Sequence, residues 1–152
     1  MKNIPDELYS RILKIIPIAC VDLIVTNSKR EILLLKRKNT PAKDEWWFPG
    51  GRVHFMETRE DAVGRKLREE CGLQGKIVKE IGTYDLILDE ENNNPSHAIT
   101  TVFHVEVNND KVAIDNQSVE YEWRLCNGWL KNIKSPFVRM ILQKVKETDA
   151  AK

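Results

Sequence analysis

The chain has 152 residues, enough for one compact domain with a real core and too few for two ordinary ones. Hydrophobic residues make up 41% and charged residues 31%, and 24 Lys and Arg against 23 Asp and Glu leave a net charge of +1. That balance excludes a global field for nucleic acid or a membrane surface, and no run of about 18 apolar residues is present to span a bilayer.

Residues 6–15 predict a short amphipathic helix, with Asp6 as its cap after Pro5 and Leu8, Ile12 and Ile15 on one stripe. Residues 18–26 predict an apolar strand, NSKR a turn, and residues 31–37 a second strand. The polar run from Lys38 to Glu45 contains Pro41 and predicts a loop. Trp46–Phe48 predict a short strand ending at Pro49-Gly50-Gly51. Residues 58–71 predict a helix capped by Thr58, with Asp61 completing a variant capping box and Gly72 stopping it. Strands follow near 76–88, 97–107 and 119–125, the first two joined by DEENNNPS. A last helix covers about 136–147, with Phe137, Met140, Ile141 and Val145 on one face and a frayed end at TDAAK. Strands and helices alternate without regular βαβ spacing, so the expected class is α/β (α+β), a mixed sheet between helices. No repeat or flexible linker divides the chain, and residues 1–152 are expected to form one domain.

The N-terminus lacks a secretory leader's apolar centre and cleavage site. Cys20, Cys71 and Cys126 are odd in number and widely spaced, which argues against a disulfide framework and for a reducing cytoplasm.

The chemistry concentrates in GRVHFMETREDAVGRKLREECGL, residues 51–73. The Gly-Gly turn lets backbone carbonyls approach a ligand or metal. Arg65 and Glu69 lie one helical turn apart on the same side. Val63, Leu67 and Cys71 form a seam for docking the helix on a sheet. Glu69 and Glu70 then gather at one end, and clustered carboxylates with hard oxygens suit Mg²⁺. Lys66 stands four residues before Glu70, so its ammonium can pair with a proposed metal ligand. That predicts one tightly held metal, with others arriving with the substrate. Taken alone, RKLREE is an ordinary charged, solvated helix; the spacing of Gly51, Glu57 and Arg65 is what sets it apart.

That spacing resembles the Nudix box: Gly, five residues, Glu, seven residues, then Arg-Glu-aliphatic-x-Glu-Glu-x-Gly-aliphatic. Gly51, Glu57, Arg65, Leu67, Glu69, Glu70, Gly72 and Leu73 match, and Lys66 departs from the first helical Glu. The resemblance implies a Nudix fold (α/β/α), Mg²⁺ with Mn²⁺ as a possible substitute, and hydrolysis of a nucleoside diphosphate linked to another group. The run 17–52 is similar to the GDP-mannose mannosyl hydrolase branch at Pro17, Asp22, Lys36-Arg37, Asn39, Pro41-Ala42, Trp46 and Pro49-Gly50-Gly51-Arg52. A later Gln117 and Tyr121-x-Trp123 extend the likeness.

In that branch water attacks the anomeric carbon, releasing free sugar and a nucleoside diphosphate. The likeness implies that Arg37, Arg52 and Arg65 stabilise the departing diphosphate, suiting a guanidinium's forked donors. It further implies that Asp22 and His97 lie on the substrate side. The metal would rest on the Gly50 carbonyl, Glu70 and Gln117, with Glu69 close by. The branch's catalytic His after the Gln is Ser118 here, and its Tyr after the matched His is Ala98. Serine is no general base near neutral pH, so Glu120, Glu69 or a metal-bound hydroxide remain as bases.

Of the other residues, His54 is expected to be solvated, and one of Trp46 and Trp47 to stack on a ligand ring while the other enters the core. Trp123 and Trp129 are expected in the core or at a dimer contact. The resemblance implies a homodimer, with the N-terminal helix as the contacting or exchanged element. Two alternatives accompany the nucleotide-sugar reading. One is a pyrophosphohydrolase cleaving P–O in nucleotide sugars, ADP-ribose or nucleoside triphosphates. The other is a non-catalytic nucleotide-binding module, suggested by Lys66 and Ser118.

Overall fold

The computed structural model describes residues 4–39, 42–88 and 95–150. In chain order the elements are α1 (Asp6–Leu13), β1 (Ile18–Thr26), β2 (Ile32–Arg37), β3 (Trp46–Trp47), β4 (Gly50–Arg52), α2 (Arg59–Cys71), β5 (Gly75–Leu88), β6 (Ser96–Val107), β7 (Ser118–Arg124), α3 (Cys126–Asn132) and α4 (Pro136–Ala150).

The strands form one mixed sheet, the expected class, with helices on both faces. β1 is its spine, running parallel to β6 from Ile18↔Ala98 to Thr26↔Glu106. β6 in turn pairs antiparallel with β5, with two register shifts. On its other side β1 meets β2 at Thr26↔Ile32, and the two strands then diverge. β3 fills the opening from the β2 side, through Leu35↔Trp47, and β4 fills it from the β1 side, through Asp22↔Gly50. The Trp-Trp-Phe-Pro-Gly-Gly segment therefore bridges a split in the sheet. β7 lines the far edge of β2.

Alternation along the strands supplies two cores. Val21, Leu23, Val25, Leu33, Leu35, Phe103 and Val105 face α2, whose Val63, Leu67 and Cys71 are buried against them. Ile24, Ile32, Leu34 and Val102 face the other way, onto Trp129 of α3 and Phe137, Val138, Ile141 and Leu142 of α4. Each fully buried aliphatic side chain contributes roughly 1.5–3 kcal/mol. The α2 seam is thus what anchors a helix that is otherwise charged.

α2 begins and ends as its sequence dictates. Thr58 Oγ1 accepts the Asp61 N–H at 3.1 Å, and Gly72 closes the helix at φ 64°. The Thr58 hydroxyl also donates to Asp61 Oδ2 at 2.8 Å, so the Asp61 side chain answers the cap through the hydroxyl.

Several expectations need correction. Pro5, not Asp6, caps α1; Asp6 lies in its first turn, where a carboxylate favours the helix dipole. α1 ends at Leu13, buries none of its residues, and leaves Leu8 and Ile15 exposed. α4 continues to Ala150, with Thr148 Oγ1 donating to the Lys144 carbonyl at 2.9 Å. β4 and α3 were not expected. Pro41 and residues 89–94 of the β5–β6 connection lie outside the described residues. No described helix is long and apolar enough to cross a membrane.

Candidate active site

The split between β1 and β2 sets the site. Gly50 lies directly opposite Asp22, where a β-carbon would run into the Val21 carbonyl oxygen and stand 3.0 Å from Asp22 Oδ1. Only glycine fits this approach. It lets the Gly50 N–H donate to Glu70 Oε2 at 3.0 Å, tying the turn to α2.

Arg65 fastens the rest of the loop. Its Nε and Nη2 donate to Glu57 at 2.6 and 2.8 Å, and Nη2 also donates to the Arg52 carbonyl at 2.9 Å. Its Nη1 reaches Glu69 Oε2 at 3.1 Å. This fork holds the Glu57 carboxyl down to about 2, helped by the His54 N–H. Expected to serve the leaving group, the Arg65 guanidinium is occupied here in holding the loop on the helix. Arg52 sits opposite Cys20, and its guanidinium lies 4.8 Å from the centre of the Tyr9 ring, the contact that links α1 to the site.

The carboxylates of α2 behave differently. Glu69 is about half exposed, within 3.7 Å of the Lys66 ammonium. Glu70 is buried, with Lys66 Nζ 2.5 Å from its Oε1. Burial pushes Glu70 up, against the pull of Lys66 and the Gly50 N–H, and the charge of Asp115 adds to the rise. Asp22 is also buried, accepts the Thr100 hydroxyl at 2.7 Å and the Trp47 indole N–H, and is pushed up to about 6 by burial. Glu70 and Arg37 both act on it electrostatically. Asp22, Arg37, Gly50, Lys66 and Glu70 therefore share one neighbourhood.

Asp115 is a member of this group that sequence reasoning missed. The loop before β7 docks on the end of α2, with the Ala113 N–H donating to the Cys71 carbonyl at 2.9 Å. Gln117 follows it, its N–H donating to Asp115 Oδ1 at 3.0 Å and its carbonyl accepting from Lys38 N–H at 2.9 Å. An acidic residue two places before Gln117 was the available signal.

Two expected residues are placed apart. Glu120 stands opposite Lys36, 3.6 Å from its ammonium. By alternation from Leu34 and Leu35, that is the face of α3 and α4, not of α2. The structure does not bring Glu120 to Glu69 and Glu70. His97 contacts Asp85 at 3.3 Å and stands five strand positions from Val102, the neighbour of Asp22, roughly 16 Å along β6. Ser118 lies opposite Arg37. Trp47 is buried and stacks on Phe137 at 5.7 Å, whereas Trp46 is half-buried and packs on Trp129 at 5.2 Å. A two-residue strand is too short for alternation to separate them.

The arrangement of a glycine turn, a capped helix offering two carboxylates and an arginine clamp matches a known family. The NUDIX domain model covers residues 17–131. The chain belongs to the Nudix family. It is a Nudix hydrolase. It is 34% identical over 118 residues to the low-salt glycan biosynthesis protein Agl8 of Haloferax volcanii, covering 76% of this chain and 75% of that one. It is 35% identical over 107 residues to an ADP-ribose pyrophosphatase of Methanocaldococcus jannaschii, covering 70% of this chain and 61% of that one. Among solved structures, the MutT protein of Methanosarcina mazei Go1 superposes with a TM-score of 0.76 at 26% identity, covering 88% of this chain and 96% of that one.

Nudix hydrolases generally use divalent metals such as Mg²⁺. The donors here fit a cation: hard carboxylate oxygens of Glu69 and Glu70 converge where the Lys66 ammonium already shows that positive charge is accepted. Among the described residues no three His, Cys, Asp or Glu side chains form a ready-made cage. A cation would therefore complete its shell with backbone, amide and phosphate oxygens.

Proposed function

We propose that this Nudix hydrolase acts on a nucleotide sugar and breaks the bond between the anomeric carbon and the diphosphate. The observation that carries the reading is the Gly50 turn itself, which lies against Asp22 and donates its N–H to Glu70, with Arg37 within electrostatic reach of Asp22. Asp22 and Arg37 are points of likeness to the mannosyl hydrolase branch, and the Haloferax relative is named for glycan biosynthesis.

In this reading Glu69, Glu70, the Gly50 carbonyl and Gln117 hold Mg²⁺, or Mn²⁺ in its place. The ion supplies positive charge to the diphosphate oxygens. Arg37 and Arg52 donate to the same oxygens, while Arg65 positions the Arg52 backbone. Water oxygen bonds to the anomeric carbon, the C–O bond breaks, and its electron pair leaves with the diphosphate. Glu69, the exposed carboxylate of the pair, takes the water's proton. A hydrolase of this kind is proposed to work in the cytoplasm, as one domain, and as a homodimer through α1, whose Leu8 and neighbouring Ile15 are exposed.

A second reading is P–O cleavage, as in the pyrophosphatase relative. Ser118 favours it, because the residue after Gln117 offers no imidazole. The deciding experiment is turnover of GDP-mannose, other nucleotide sugars, ADP-ribose and nucleoside triphosphates with Mg²⁺ in ¹⁸O-water. Nucleoside diphosphate plus ¹⁸O-labelled free sugar supports C–O cleavage. Nucleoside monophosphate plus sugar phosphate overturns it in favour of P–O cleavage.

A further inference from the structure

Lys66 is a buried cation at the point where the Nudix pattern has an acid. Its side chain is 9% exposed, and that of Glu70 is 10% exposed. The lysine stem runs beneath Gly51: a β-carbon there, at φ +149°, would lie 3.0 Å from Lys66 Cε and 3.3 Å from Nζ. The missing side chain at Gly51 therefore makes room for the lysine stem. At its end the ammonium meets Glu70 Oε1 at 2.5 Å and Glu69 Oε2 at 3.7 Å. The remaining Glu70 oxygen is taken by the Gly50 N–H at 3.0 Å. Each Glu70 oxygen thus accepts from one internal donor and keeps a further lone pair for a cation.

We propose that Lys66 is a resident cation that sets the metal count of this site, sharing Glu70 with a single divalent ion on the Glu69 side and keeping a second ion out. The proposal rests on the reading of Glu69 and Glu70 as metal ligands. A second divalent ion at the Glu70 oxygen that Lys66 holds would face the ammonium at short range, where like charges repel and little water intervenes to screen them. Removing the charge relieves that repulsion, and replacing it with a carboxylate adds a ligand as well.

The test is Mn²⁺ binding to the full chain without substrate, read by electron paramagnetic resonance of the free ion. The parent should bind no more than one Mn²⁺. Lys66→Glu should bind at least one more, and Lys66→Met, which keeps the apolar stem under Gly51, should bind its first ion about tenfold more tightly. Lys66→Arg should match the parent. Parental number and affinity in folded Lys66→Glu and Lys66→Met would overturn the proposal. A measurement on the unaltered chain needs no variant: acetylation mapped by mass spectrometry should find Lys66 protected with and without saturating Mn²⁺. Exposure of Lys66 on Mn²⁺ binding would show a displaceable placeholder and overturn the idea. Because no substrate is present, the ion count stands or falls separately from the product assay.

Discussion

Arg65 Nε donates to Glu57 Oε1 at 2.6 Å, and the same guanidinium holds the Arg52 carbonyl, so one ion pair joins the glycine turn to the helix that carries the carboxylates. Both side chains are mostly shielded, 17% and 12% exposed. The pair lowers the Glu57 carboxyl from 4.5 to about 2. A depressed carboxyl contributes stability that is complete above the unfolded value of 4.5 and is lost as pH falls towards 2. With a discount for solvent at the loop's edge, that contribution is about 1–2 kcal/mol. Urea unfolding should therefore show Glu57→Gln weaker than the parent by this amount at pH 7, the gap closing as pH is lowered below 4. A gap that persists unchanged at low pH would sink the assignment.

Asp22 carries the opposite sign. Its carboxyl is raised from 3.8 to about 6, mainly by burial. A raised carboxyl opposes folding once it must ionise: the penalty is absent below 3.8, grows between 3.8 and 6, and is complete above 6. Asp22→Asn keeps an acceptor for the Thr100 hydroxyl and removes the charge. Thermal melts at pH 8 should find the variant more stable than the parent by roughly 1–3 kcal/mol, with the advantage fading at pH 4. Hydrolysis should fall in the same variant, as expected when a polar group is kept at a cost to stability. A variant less stable than the parent at pH 8 would show that ionised Asp22 is a net stabiliser.

What was legible in the sequence was local. Thr58 and Gly72 bracket α2 through contacts within a few residues, and Val63, Leu67 and Cys71 mark its buried side by spacing alone. β4 was hidden because Gly-Gly-Arg has little strand propensity and its pairing with Cys20–Asp22 is long-range. α3 was hidden because seven residues containing Gly128 show no usable period. Asp115 stands two places before Gln117, but it enters the site through the long-range docking of its loop on Cys71. The place of Glu120 depends on β2–β7 register, which shifts between Lys36 and Arg37.

That register yields a comparison. Glu70 is tied to Gly50 and Lys66 at the centre of the site, whereas Glu120 pairs with Lys36 at an exposed position on the other face. Glu70→Gln should lower turnover with Mg²⁺ by about 10–100-fold, and chelation with EDTA should abolish it in the parent. Glu120→Gln removes only an exposed pair, so its effect should stay within about fivefold. Steady-state rates of the two variants decide the matter. A larger loss at Glu120 would mean that β7 swings to the carboxylates during turnover.

Glycine to alanine should have opposite signs at Gly50 and Gly64. At Gly50 a β-carbon meets the Val21 carbonyl oxygen and Asp22 Cα, both backbone atoms of the central strand that cannot step aside. Gly50→Ala must push β4 off β1, lengthening the bond between the Gly50 N–H and Glu70. A loss of more than about 2 kcal/mol is expected, together with loss of turnover. Gly64 lies in the middle of α2, where the nearest atom to a new β-carbon is the flexible Arg68 Nη1 at 3.4 Å. There alanine restricts the unfolded chain and suits the helix, for a gain of about 0.5–1 kcal/mol. Chemical denaturation of both variants against the parent checks the pair. A Gly50→Ala protein as stable as the parent would mean that the close β1–β4 approach, and with it the geometry of the Glu70 site, is not maintained in solution.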